Sequence, residues 1–422
     1  MPSWSDHAIL WQVYPLGFTG APAVAPPPGV SVRHRLRQLE GWLDYAVELG
    51  CSGLLLGPIF ASETHGYDTV DHFRIDPRLG DDGDFDSLVA RAGERGLRIV
   101  LDGVFNHVGR SFAADSRWFR KRPGSTGYDT FEGHDRLVAL DHAEPAVREH
   151  VAAVLDHWLG RGAAGWRLDA AYAVPADFWR DVLPGVRARH PRAWFAGEMI
   201  HGDYAGYVTR SGLDSVTQYE LWKAVWSSLN DRNLFELAWA LDRHNSLLDT
   251  FVPLTFVGNH DVTRLATRLR DERHLGHALA VLLTVGGVPS LYYGDEQAFR
   301  GLKEEREGGD DAIRPAFPAA PGELAPHGRP VYRLHQDLIG LRRRHPWLVR
   351  ARTTVEHLTN RAAAIRSSAD GEGVLTLLNL DDRAYRFPID TSRVRLAAPE
   401  GGAQDLAVVG PHAWKILVEK DE

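Results

Sequence analysis

The stretch Gly165-Trp166-Arg167-Leu168-Asp169 decides how this chain is read. It has the length and apolar content of a buried strand, and it ends in a carboxylate. Alternate side chains of a strand point to the same face, so Arg167 and Asp169 share one. A guanidinium on that face holds a carboxylate ionised and aimed, as a nucleophile requires. One such motif says little alone. It gains meaning because three other stretches place carboxylates or histidines at strand ends: Asp102-Gly103-Val104-Phe105-Asn106-His107, Gly197-Glu198 and Asn259-His260-Asp261.

Working outward, apolar runs predict strands at 8–15, 53–57, 97–102, 165–169, 193–198, 213–217, 252–257 and 289–293. Helical spacing predicts helices at 33–49, 84–95, 145–160, 176–189, 218–244, 272–284 and 329–345. In the first of these, Leu36, Leu39, Trp42, Leu43, Ala46 and Leu49 recur at helical intervals and Gly50 stops the run. Strands that alternate with helices and are apolar throughout belong to a parallel sheet covered on both faces. Eight such units predict an α/β fold, a closed (β/α)8 TIM barrel whose chemistry sits at the C-terminal strand ends. The open doubly wound sheet is the alternative; it calls for a Gly-x-Gly-x-x-Gly loop after a strand, and there is none. Residues 65–72 read as a polar loop and 300–327 as a charged, Gly- and Pro-rich one. Residues 109–140 lack a period and read as a short insertion after the third strand. From 348 onward, short strands separated by Gly and Asp predict a C-terminal antiparallel β-sandwich. The expected domains are therefore a barrel (1–108 and 141–347), an inserted subdomain (109–140) and a β domain (348–422).

Composition narrows the partners. A 422-residue chain that is 44% hydrophobic and 25% charged has ample core for a globular protein. Its net charge of −8 argues against a nucleic-acid partner. The single cysteine, Cys51, excludes an internal disulfide framework and fits a reducing compartment. No apolar run is long enough to span a membrane. The N-terminus has no basic start followed by an apolar run, so a cytoplasmic location is expected. Some of the 13 tryptophans could serve as platforms for sugars.

The four strand-end stretches resemble, in order and spacing, the four signature regions of the α-amylase family, glycoside hydrolase family 13. His65-Gly66-Tyr67-Asp68 and Tyr292-Tyr293-Gly294-Asp295-Glu296 also match family patterns, and the likeness spans roughly residues 8–345. The resemblance implies a retaining α-glucoside hydrolase. Asp169 would be the nucleophile, Glu198 the acid and then base, and Asp261 the third carboxylate, which grips sugar hydroxyls as the ring flattens. His107 and His260 would bind sugar hydroxyls, Tyr67 would stack on the same ring, and Asp102 would brace Arg167. The retaining mechanism implies a carboxyl separation of about 5–6 Å.

Two departures bear on the substrate. Many polymer-cleaving members carry Lys-His shortly after the nucleophile; here the run is Asp169-Ala170-Ala171-Tyr172-Ala173. Many neopullulanase-like members carry Met-Pro-x-Leu-Asn at the end of the insertion; here it is Leu137-Val138-Ala139-Leu140-Asp141. Asp68 and Arg314 are expected to pair at the rim and wall off the first sugar site, which favours short, mostly α-1,4-linked oligosaccharides. Transfer of the glycosyl group to a sugar acceptor, endo-acting α-amylase activity and a non-catalytic binding role are the competing readings. Asn106 matches a family calcium ligand, but so short an insertion offers no partner set. No metal and no redox or organic cofactor are expected.

Overall fold

The computed structural model describes residues 4–27, 29–306, 308–399 and 405–419. At its centre are eight parallel strands: β1 (Leu10–Val13), β2 (Gly53–Leu56), β3 (Arg98–Gly103), β4 (Gly165–Leu168), β5 (Trp194–Gly197), β6 (Ser215–Val216), β7 (Leu254–Phe256) and β8 (Val288–Tyr292). They pair in chain order from β1 to β6, and β8 lies between β1 and β7. The β6–β7 seam is held by a parallel bridge, Thr217 to Leu254, and by the Ser215 hydroxyl donating to the Val252 carbonyl at 2.7 Å. These contacts close the ring into a barrel.

The alternation of side chains explains why the strands are apolar throughout yet carry a site. Leu10, Leu55, Val100, Ala196, Leu254 and Val288 form one buried cluster, a plug inside the barrel. Their neighbours Trp11, Leu54, Leu56, Ile99, Leu101, Trp166 and Phe195 belong to the larger cluster shared with the surrounding helices. Two residues beyond Leu10, Val100 and Ala196 on the same faces come Gln12, Asp102 and Glu198. In the β3–β4 register Asp102 stands opposite Arg167. The strands thus rise from an apolar floor to a charged layer at their C-terminal ends.

Several elements differ from the sequence expectation. The expected helix 33–49 is two pieces, Leu36–Glu40 and Leu43–Leu49, the second closed by Gly50 at φ 101°. The expected helix 218–244 is also two, Tyr219–Asp231 and Leu234–Leu247. Arg232 turns left-handed at φ 49°, and the Asn233 side chain caps the next helix by accepting from the Phe235 N–H. Apolar periodicity runs across both breaks; cap chemistry marks the second at Asn233, while the first, at Gly41-Trp42, has no side-chain cap. Thr69–Ile75, expected to begin as polar loop, pairs antiparallel with Phe60–Ser62.

The chain after β3 forms a two-stranded ribbon, His107–Gly109 with Leu137–Ala139. At the C-terminus, β9 (Arg352–Leu358), β10 (Ala362–Ala369), β11 (Glu372–Asn379), β12 (Val394–Ala398) and β13 (Ala413–Glu419) make an antiparallel sheet in the order β9-β10-β11-β13-β12. It is fastened to the barrel helices by paired bonds between Asn245 and Thr353 (2.7 and 2.9 Å) and by Thr376 to Thr284 (3.0 Å). Among the described residues, no helix is long and apolar enough to cross a membrane.

Candidate active site

Arg167 is the hub of the charged layer. One terminal nitrogen donates to both oxygens of Asp102, at 2.7 and 2.6 Å, and lies 3.2 Å from Asp169. The other terminal nitrogen lies 2.6 Å from Glu198 and 3.9 Å from Asp261. Arg167, Asp102, Asp169 and Glu198 are all buried. Their proximity follows from the strand order, because β3, β4 and β5 are adjacent and their ends converge on one guanidinium.

The chain turns sharply after Asp169. Ala170 adopts a left-handed conformation, φ 45° and ψ 39°, which is costly for a residue with a Cβ. The turn aims the Ala170 N–H at Glu198, 3.0 Å away. The Tyr219 hydroxyl donates to the other Glu198 oxygen at 3.2 Å and accepts from Asn259 at 2.8 Å. Glu198 is therefore fixed from three sides.

Asp261 is fixed from its own strand end. The His260 imidazole lies 3.0 Å from one oxygen and an Arg314 nitrogen 3.0 Å from the other. Gln12 lies 3.0 Å from His260 Nδ1. With the Gln12 amide nitrogen donating, the proton sits on Nε2, which faces Asp261 and the Tyr67 hydroxyl. Tyr67 also donates to Asp102 at 3.1 Å and lies parallel to His260, ring centres 5.4 Å apart.

Charge is unevenly distributed among these groups. Burial, then the Glu198 charge, pushes the Asp169 carboxyl well above the usual carboxylate range, against the pull of Arg167. This corrects the expectation that Arg167 holds Asp169 ionised: burial and the Glu198 charge outweigh it. The guanidinium is shared with Asp102 and Glu198. Burial also acts to raise Asp261, but His260, Arg314 and Arg167 more than cancel it and hold that carboxyl well below its usual range. Burial pushes His107 down to about 3, so its ring is neutral.

A second correction concerns Arg314. It does not pair with Asp68. Its Nε donates to the His260 carbonyl at 2.9 Å, and a terminal nitrogen reaches Asp261 and Asp310, the latter at 2.9 Å. The guanidinium packs 4.7 Å from the Tyr14 ring. Asp68 is buried instead, accepting from the Thr64 hydroxyl, with its other oxygen lacking any partner. Sequence position put both residues at the rim; the loop carrying Arg314 turns it toward Asp261 in the charged layer.

His107 packs face to face on Phe131 of the insertion, 4.5 Å between centres, and its Nε2 is buried without a partner. Glu132, beside it, accepts from the Tyr172 hydroxyl at 2.8 Å, so the insertion touches the segment that follows Asp169. Sequence reasoning missed Gln12, Tyr219 and Tyr172. Gln12 had a signal, as the lone polar residue in an apolar strand; Tyr219 and Tyr172 had none.

Asn106 Nδ2 contacts His107 Nδ1 at 3.2 Å, and its Oδ1 is buried without a hydrogen-bond partner. That orphan oxygen is the one feature a calcium ion would answer. Calcium wants six to eight oxygens. Among the described residues, groups of three or more His, Cys, Asp or Glu within ligating reach lie elsewhere, at His34–Asp81–Asp84 and Asp271–His274–His412. Among the described residues, neither of these groups includes Asn106.

Comparison with known proteins agrees with this geometry. The family model for the alpha amylase catalytic domain matches residues 36–132 and 125–349. A cyclomaltodextrinase from Geobacillus thermopakistaniensis is 30% identical over 92% of this chain and 71% of its own. An intracellular maltogenic amylase from Bacillus subtilis is 29% identical over 71% of this chain and 57% of its own. The cyclic α-maltosyl-(1→6)-maltose hydrolase from Arthrobacter globiformis superposes with a TM-score of 0.81 at 26% identity, covering 99% of this chain and all of that one. The chain belongs to the α-amylase family, glycoside hydrolase family 13, and is a glycoside hydrolase.

Proposed function

We propose that the protein is a retaining hydrolase of short α-glucans, linear or cyclic, with α-1,4 linkages preferred. The observation that carries the reading is the single guanidinium of Arg167 gathering Asp169, Glu198 and Asp261 from the C-terminal sides of three barrel strands. Asp169 attacks the anomeric carbon while Glu198 protonates the leaving oxygen; Glu198 then takes a proton from water, which releases the sugar from the Asp169 ester. The reactive form is the one with the proton on Glu198 and the charge on Asp169. Tyr219 and the Ala170 N–H orient that carboxyl, and Asp102 keeps Arg167 in place. Asp261 grips two hydroxyls of the flattening ring and is positioned by His260 and Arg314. Tyr67 supplies the stacking face. The partnerless Asp68 Oδ1 and His107 Nε2 supply an acceptor and a polar nitrogen that sugar hydroxyls would satisfy.

The preference for short substrates is supported by the names of the relatives and by the insertion, whose Glu132–Tyr172 bond crosses the leaving-group side. A cytoplasmic location is supported by the intracellular relative and the single buried cysteine. We also infer that catalysis needs no metal or organic cofactor. The test is a product profile on maltotriose, a cyclodextrin and soluble starch, with and without excess glucose as acceptor. Higher kcat/KM on maltotriose or cyclodextrin than on starch is expected. Starch preferred, with internal cleavage products appearing early, would replace this reading with an endo-acting α-amylase.

A further inference from the structure

A second cluster of ligand atoms lies away from the barrel mouth, where the C-terminal sheet meets the barrel. Asp271 and His274 belong to the segment that leads into the helix Leu275–Thr284, and His412 sits in the turn before β13. His274 Nε2 and His412 Nδ1 face each other at 3.0 Å. An Asp271 oxygen is 3.7 Å from the same His412 nitrogen. Both rings are buried, while Asp271 is half-buried.

Zinc binds nitrogen and oxygen ligands at about 2.0–2.2 Å, so tetrahedral ligands stand roughly 3.3 Å apart. The observed separations bracket that value. The rear of His412 is also arranged as in metal sites, since Asp382 lies 2.7 Å from Nε2. With Nε2–H donating to that carboxylate, Nδ1 is left with its lone pair facing His274. The His274 ring is packed against His277, centres 5.1 Å apart. His412 is held left-handed at φ 48°, a conformation the surrounding contacts must impose.

From this geometry we propose that Asp271, His274 and His412 form a structural site for a divalent transition metal of the zinc class, clipping the C-terminal domain to the barrel. Zinc takes the place of the proton now shared between the two rings, which returns to His274 Nδ1, and water completes the tetrahedron. Two cations stand nearby. Arg273 occupies both Asp271 oxygens, at 2.9 and 2.6 Å, and a carboxylate oxygen's second lone pair remains for the metal. Arg232 lies 3.5 Å from His412 Nε2, on the side away from the ligand nitrogen.

The experiment uses the full chain, stripped with chelator and dialysed. Zinc is titrated against a chromophoric chelator, and thermal unfolding is followed with and without zinc. One zinc per chain and a raised Tm are expected, and both should be lost in His274→Gln and in His412→Gln. Asp382→Asn, at an exposed position, should fold normally and weaken zinc about 10-fold or more, the usual cost of losing such a partner. Cobalt in place of zinc should show the intense visible bands of a four-coordinate ion. No stoichiometric zinc on the parent chain, or zinc bound equally by the parent and Asp382→Asn, would overturn the proposal.

Discussion

Replacing Arg314 with Lys tests the role the structure gives this residue. The arginine reaches three acceptors through two nitrogens, the His260 carbonyl through Nε and both Asp261 and Asp310 through one terminal nitrogen. A lysine is a point charge and cannot reproduce that fork. A hydrogen bond to a charged group contributes about 1.5–3 kcal/mol. Asp261 keeps 31% of its side chain exposed and retains His260, so the lower part of that range applies. A loss of about 1.5–2 kcal/mol corresponds to a fall of roughly 10–30-fold in kcat/KM. Because Asp261 is proposed to grip the sugar hardest in the transition state, the loss should fall on kcat more than on KM. The assay is steady-state hydrolysis of maltotriose by the parent, Arg314→Lys, Asp68→Asn and the double variant. Independent roles predict that the two losses multiply. A loss below about 3-fold in Arg314→Lys, or a double variant no worse than either single one, would refute the reasoning. The second outcome would restore the Asp68–Arg314 pair expected from sequence.

Three further outcomes follow from the same structure. Tyr219→Phe removes the hydroxyl that orients Glu198 and strands Asn259; kcat on maltotriose should fall about 10-fold or more with Tm little changed, and unchanged kcat would remove Tyr219 from the site. Stability should fall on acidification from pH 7 to pH 5. Burial pushes His72 and His107 down to about 3 and His244, His277 and His335 down to about 4, so below about pH 6.5 the unfolded chain binds more protons than the folded one. The stabilisation is full above the unfolded value and is lost as pH falls toward the folded ones, at up to about 1.4 kcal/mol per pH unit for each histidine. Burial raises Asp295 to about 6 and Glu296 to about 7 and also pushes Asp102 and Asp169 up, which opposes the trend without reversing it; a urea midpoint that rises between pH 7 and pH 5 would contradict the sign. Finally, calcium added to chelator-stripped protein should change neither activity nor Tm, and a large recovery with calcium would put a site at Asn106.

The barrel was legible because its strands are apolar on both faces and their spacing is regular. Asp169 and Glu198 were legible because they follow such strands directly; Asp261 lies five residues past its strand. What stayed hidden has physical causes. The two broken helices keep their apolar period through the break: the second is interrupted by the left-handed Arg232 and the capping Asn233, the first at Gly41-Trp42 with no side-chain cap. Asp68 and Arg314 sit in loops, where sequence position says nothing about side-chain direction, so the expected pair was drawn between the wrong partners. Tyr219 opens a helix after β6 and looks like any amphipathic position until β5 brings Glu198 beside it. His274 and His412 meet across a gap in sequence that no ligand-spacing motif spans.

The account stands on Asp169 forming a covalent bond to sugar. The direct measurement is to incubate the protein with a fluorinated α-glucosyl fluoride that slows breakdown of the intermediate, digest it and sequence the labelled peptide by mass spectrometry. The account predicts one glucosyl adduct per chain, on Asp169, absent from Asp169→Asn, with product released in the α configuration. An adduct on another residue, or no adduct together with β-configured product, would contradict it.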